Sequence, residues 1–374
     1  MKRLAYIPVF VALAFACVAE GEAQSLKIGT YTFKDGAVYS GELQGGKPHG
    51  QGKTTFKNGD TYEGEYVRGK RQGKGTYLFT DGEKYVGDWL QDQTHGYGVF
   101  YFANNNRYEG LWYRDYQQGQ GVMYYYNGDV YRGNWESDKR EGQGTYTYQD
   151  GSQYNGDWKD DKKEGKGTFV WADGSAYSGD WVDNERSGKG CYTYADGDVY
   201  EGEWANDLQH GRGIYTFANG DRYEGQYKAG ERSGEGICTF ANGNRYVGHF
   251  EHGEQNGQGT YTWADGSVYQ GNWVDNQRSG RGKYTWPNGD IYDGQWANGL
   301  MDGEGVMRMQ DGSKFKGHFK AGVKDGECVE EDADGVRFEG SYRNGQRHGA
   351  FVEKDRNGAV LRQGTYVGGI ANVK

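Results

Sequence analysis

An all-β fold, an elongated single antiparallel meander sheet of repeated β-hairpins, is what this sequence predicts, and three observations carry it. A Tyr or Phe followed by x-Gly recurs every 23 residues, fourteen times without insertion, from Tyr39 through Tyr177 and Tyr200 to Phe338. Alternation at period 2 occurs twice per repeat, as Y-x-G-x-W and G-x-Y-x-F, and no helical period competes with it. Ala-Asp-Gly, Ala-Asn-Gly or a close variant ends each repeat, and the glycine there can take positive φ in a tight hairpin.

The chain divides in order. Residues 1–23 read as a signal peptide. Lys2 and Arg3 give a basic start, Leu4 to Ala19 an apolar stretch, and Gly21-Glu22-Ala23 a small-x-small site, with cleavage after Ala23. An uncleaved anchor and lipid attachment at Cys17 are the alternatives. Residues 24–38 hold a half repeat, GTYTFKDG from Gly29 to Gly36. Residues 39–314 are the regular repeats, and 315–374 are divergent C-terminal repeats and a cap.

Within a repeat, the Tyr or Phe is position 1. Position 3 is always Gly, position 5 is aromatic in all repeats but the first, and position 12 is always Gly. Position 14 is Gly through the repeat starting at Tyr292, and positions 16 and 18 are mostly aromatic. Most of the 67 glycines sit at these framework places and do not mark flexible linkers. A three-residue hairpin loop pairs position 16 with the next position 1. That register puts positions 1, 3, 5, 14, 16 and 18 on one face, with rings lying over bare glycine backbone. Thr, Glu, Asp and Gln take the other face. At about 4.8 Å per strand the ribbon is roughly 130 Å long. In the last two repeats Glu330, Asp332, Glu353 and Asp355 replace the rings at positions 16 and 18, which reads as a polar cap.

The pattern Y-x-G-x-W…G-x-G-x-Y…D-G at period 23 resembles the MORN-repeat family (membrane occupation and recognition nexus), from Gly29 to about Gly358. MORN arrays occur in junctional membrane proteins, in regulatory regions of lipid kinases and methyltransferases, and in cytoskeletal scaffolds. The resemblance implies an extended sheet that binds or organises other molecules, and no chemistry of its own.

Charge and cysteine narrow the partners. The chain carries net charge −10 with or without its first 23 residues, which disfavours nucleic acid and anionic lipid. Arg68, Lys70, Arg71 and Lys74 form a local basic turn, read as solvated loop charge. Cys191, Cys238 and Cys328 lie in separate repeats, too far apart for a disulfide, and read as unpaired.

Candidate chemistry fails on context. Gly-x-Gly at positions 12 and 14 leads into a strand, not a helix, and Gly52-Lys53-Thr54 lacks the upstream glycine of a phosphate loop. His49, His95, His210 and His348 fall at position 11, read as loop, whole repeats apart and unable to share a metal. Carboxylates recur at positions 2 and 4, whereas an active site needs one unique constellation. The expected protein is therefore no enzyme and needs no cofactor.

The candidate partner-binding surface is the aromatic face, with Trp89, Trp112, Trp135, Trp158, Trp181, Trp204, Trp273 and Trp296 as its anchors. The competing reading of the same rings is a thin structural core. The leading function is a scaffold that binds protein partners. A peripheral membrane protein and a carbohydrate-binding envelope protein are the alternatives, and self-association stays open. Expected locations are periplasmic, cell-surface or secreted. The absence of any Asn-x-Ser/Thr site favours a bacterial envelope.

Overall fold

The computed structural model describes residues 25–373, so the signal sequence, the cleavage after Ala23 and Cys17 lie outside the described residues. The described chain is strands and turns. It divides into two compact bodies, one through Tyr126 and one from Asn127. In the first, nine strands run from Lys27–Thr32 to Tyr116–Tyr124; in the second, twenty-two run from Val130–Glu136 to Ile370–Val373. Within each body every strand pairs antiparallel with the next in sequence, an open meander.

The repeat starting at Tyr177 shows the local causes. Its seven-residue strand is Ala176–Val182 and its nine-residue strand Glu185–Thr193. Between them Asp183 and Asn184 take φ of 51° and 77°, a two-residue turn whose hand suits a twisted hairpin. The second strand therefore begins at position 9. Position 11, expected in a loop, lies in strand throughout, as His95 does in Gln93–Tyr101. The return loop is Ala195-Asp196-Gly197, closed by Tyr194 N–H to Asp198 C=O at 2.8 Å, with Gly197 at φ 96°. Position 16 then meets the next position 1, Tyr192 opposite Tyr200, as the three-residue loop predicts.

The core lies on one face of the sheet. From the repeat starting at Tyr39 to that at Tyr292, the position 1 tyrosines are fully buried, at most 1 % exposed. Tyr177 lies edge-on to Trp181 at 5.2 Å and to Trp204 of the next repeat at 5.3 Å, so each tyrosine is shared between neighbours. Its ring covers Gly179 and Gly190, and its hydroxyl donates to the Asp180 carbonyl at 2.9 Å. That carbonyl sits at the bulge where the register shifts after Gly179, so the hydroxyl satisfies backbone that the ladder leaves out. The same bond recurs from Tyr62 to Tyr292.

The two final repeats show why the glycines are needed. Phe315 and Phe338 lack the hydroxyl, and there position 14 becomes Cys328 and Phe351. Side chains occupy position 14 only where that oxygen is gone.

Candidate binding faces

The eight tryptophans offered as anchors do not form a surface. They are only 3–8 % exposed. Each is closed in from two sides. Trp181 lies against Tyr154 and Tyr177, and its indole N–H donates to the Gly167 carbonyl at 3.0 Å. Over its face sits Lys163 Nζ, 4.4 Å from the ring centroid. Position 10 supplies such a lid repeatedly: Arg71 over Trp89 at 4.2 Å, Arg140 over Trp158 at 4.2 Å, Arg186 over Trp204 at 4.5 Å and Arg278 over Trp296 at 4.3 Å. The guanidinium also ties successive turns together, as Arg186 Nη2 donates to the Asp207 carbonyl at 2.8 Å.

These lids revise the reading of the basic turn. Arg71 is no solvated loop charge but part of the core cover, and it donates to the Asp92 carbonyl at 2.7 Å. Lys74 pairs with Asp88 at 2.6 Å. Period-2 alternation carried back from position 14 to position 10 places this cation on the aromatic face, a signal available in the sequence.

Two of the four cap acids, Glu330 and Glu353, are internal, whereas Asp332 is exposed. Glu330 accepts from Lys324 at 2.7 Å, Arg347 at 2.5 Å and the Tyr342 hydroxyl at 2.9 Å. Glu353 pairs with Arg362 and lies 3.5 Å from Arg347. Arg347 stacks on Phe338 at 3.9 Å. Charges here take the place of rings inside the same core, and beside them burial pushes the Cys328 thiol up to about 11.

Burial alone raises the Glu330 pKa, but the bonds from Lys324 and Arg347 outweigh it and hold it low; Arg362 does the same for Glu353. A carboxyl depressed in the folded state stabilises fully above its ordinary pKa, about 4.3 for Glu, and that contribution fades as pH falls through the lowered folded value. Below about pH 4 the repeats starting at Phe315 and Phe338 are expected to open, leaving Lys324, Arg347 and Arg362 unneutralised. Hydrogen exchange at pH 3 and pH 6 should show protection lost there while the aromatic repeats hold. Equal protection in both regions at pH 3 would refute this.

The opposite face carries the open surface. In the second body an open trough of about 1160 Å³ runs over the face away from the rings, from Gln143 to Val247. Positions 2 and 15 form its floor. Cross-strand pairs there are Thr168 with Ser178, Cys191 with Glu201, Ile214 with Glu224, and Ile237 with Val247. Two of the charges lining it form ion pairs, Lys166 with Asp180 at 2.5 Å and Glu224 with Arg222 at 2.7 Å. Ile214 and Ile237 break a row that elsewhere holds mostly Thr or Val, a faint signal in the sequence.

Among the described residues, Cys191, Cys238 and Cys328 are unpaired, and no three His, Cys, Asp or Glu side chains gather as a metal site would require. Among the same residues, no helix is long and apolar enough to cross a membrane.

No curated protein sequence matches the chain. Among solved structures, similarity extends to the TCP domain of SAS-4 from Drosophila melanogaster, solved with a proline-rich motif of Ana2. That match has 14% identity and a TM-score of 0.28, over 48% of this chain and 90% of that one. The TCP10 domain of CPAP from Danio rerio matches at 14% identity and TM-score 0.21, over 72% and 99%. A virginiamycin B lyase from Staphylococcus aureus matches at 7% identity and TM-score 0.13, over 90% and 98%. Overlays this loose carry no functional argument. The MORN-repeat model, in contrast, matches fourteen consecutive segments from 39–61 to 338–350, in phase with every tyrosine-glycine step described above. The chain belongs to the MORN-repeat family.

Proposed function

We propose that the protein is an exported, non-enzymatic scaffold whose trough, on the face away from the rings, binds a segment of a protein partner. The observation that carries this reading is the division of labour between the two faces. The rings that could anchor a partner are spent in the core under Lys and Arg lids, whereas the trough offers about 1160 Å³ with an apolar floor at Ile214, Ile237 and Val247. Ligand clefts combine apolar lining with a few placed polar groups, and these three side chains supply the apolar part within a polar trough. The lack of catalysis rests on repetition: each side-chain constellation recurs along the array, whereas catalysis needs a distinct one. Export rests on the N-terminal pattern, and the envelope or extracellular space is the corresponding location.

The test is a paired capture from an envelope fraction using the wild-type chain and Ile214→Asp/Ile237→Asp. Wild type should retain a specific protein that the variant loses, with both melting at the same temperature. Equal capture by both would overturn the trough as the site.

A further inference from the structure

Within the first body, the repeats starting at Tyr85 and Tyr108 carry an exposed apolar surface on the face away from the rings. Val86, Leu90, Tyr97, Leu111, Tyr113 and Tyr116 are 39–53 % exposed. Two cross-strand pairs join four of them, Tyr97 with Leu111 and Tyr113 with Tyr116, and Val86 and Leu90 lie on the strand that pairs with that of Tyr97. The equivalent places two repeats later hold Arg132, Glu136, Gln143, Asp157, Lys159 and Lys162. All six apolar places are thus polar or charged there, so exposure at these positions does not by itself call for apolar residues.

We infer that this patch is the interface of a homodimer, covered by the same patch of a second copy. Charge favours that occupant. Of the flanking charges, Asp88 pairs with Lys74 at 2.6 Å and Arg107 with Glu109 at 3.1 Å, while the cations Lys84 and Arg114 lie over the Tyr101 and Tyr113 rings at 4.3 Å and 5.2 Å. With two charges neutralised and two cations held over the patch's own rings, the apolar side chains can meet a second copy with few like charges opposed, as a two-fold interface requires, although the chain as a whole carries −10.

Area favours it too. Half-exposed side chains of roughly 200 Å² each contribute roughly 90 Å² apiece. The six, with Leu78 and Tyr101 beside them, total roughly 700 Å² per copy. That exceeds the roughly 300–600 Å² of the largest patch on an ordinary monomer and approaches the roughly 800 Å² per partner of a stable complex. Tyrosine is also a residue type enriched in such interfaces.

Sedimentation equilibrium of the chain from Gln24 onward tests this. Wild type should sediment as a dimer at micromolar concentration. Leu111→Asp/Tyr113→Asp should raise the dissociation constant at least ~100-fold by placing carboxylates in a dry interface, with circular dichroism and melting unchanged. Tyr97→Lys, on the neighbouring strand, should do the same, and Ile214→Asp in the trough should leave the dimer intact. A wild-type monomer at tens of micromolar, or patch variants that dimerise as wild type does, would overturn the inference. So would a monomer that floats with phosphatidylcholine vesicles and loses that association in the patch variants.

Discussion

Gly190→Ala is expected to destabilise its repeat by about 4 kcal/mol, combining overpacking with a lost buried hydrogen bond. An added Cβ would lie 2.3 Å from the Tyr177 hydroxyl oxygen and 2.4 Å from its ring. The ring cannot retreat. It is wedged between Trp181 and Trp204, and its hydroxyl holds the Asp180 carbonyl at 2.9 Å. Gly151→Ala is the contrasting substitution. That glycine sits at φ +92 with nothing within 4 Å of the added carbon, so only the conformational cost of about 1 kcal/mol applies. Adding Tyr177→Phe to Gly190→Ala should recover part of the loss, because Phe315 with Cys328 already uses that pairing. Denaturant unfolding and hydrogen exchange across Tyr154–Tyr215 would measure both. Equal costs at Gly190 and Gly151 would show that the close approach is not what matters.

Trp181→Ala should cost about 3–5 kcal/mol, the range for truncating a fully buried large ring. A half-buried ring, as the sequence suggested, would have cost less. The indole is only 3 % exposed, donates to the Gly167 carbonyl and lies under Lys163. Loss of protection should spread to Tyr154 and Phe169, which share its surface. Val182→Ala, one residue on and 49 % exposed, should change stability by no more than about 0.5 kcal/mol. Comparable losses at the two sites would remove the distinction between the faces.

The fold was legible because the period of 23 constrains everything at once. Once Tyr192 is set opposite Tyr200 by the three-residue loop, the ring face and the glycine contacts follow. The short turn at positions 7 and 8 was legible in some repeats only. Asn298-Gly299 and Asn344-Gly345 carry the residues that advertise such a turn, whereas Asp183-Asn184 takes the same left-handed backbone without a glycine. Missing it turned Arg71 into a loop charge and concealed the lids. The site suffered most from this. With lids in place the tryptophans have no free surface, and attention belongs on the opposite face. There Ile214 and Ile237 differ from Thr by little in a sequence and by much on a trough floor. The ionic core was misplaced for a related reason: Glu330 and Glu353 look like solvent-facing charges until Arg347 and Arg362 arrive from other strands.

The sharing of each tyrosine between two tryptophans has a genetic consequence. Cutting out Tyr177–Val199 would join Ala176 to Tyr200 and rebuild a junction of the same kind, Tyr154 then facing Trp204 as it now faces Trp181. A gain or loss of whole 23-residue segments by slippage during DNA copying therefore leaves every surviving junction chemically complete. Copy number is free to drift in steps of two strand spacings, about 10 Å, and selection can act on reach without first having to repair a damaged core.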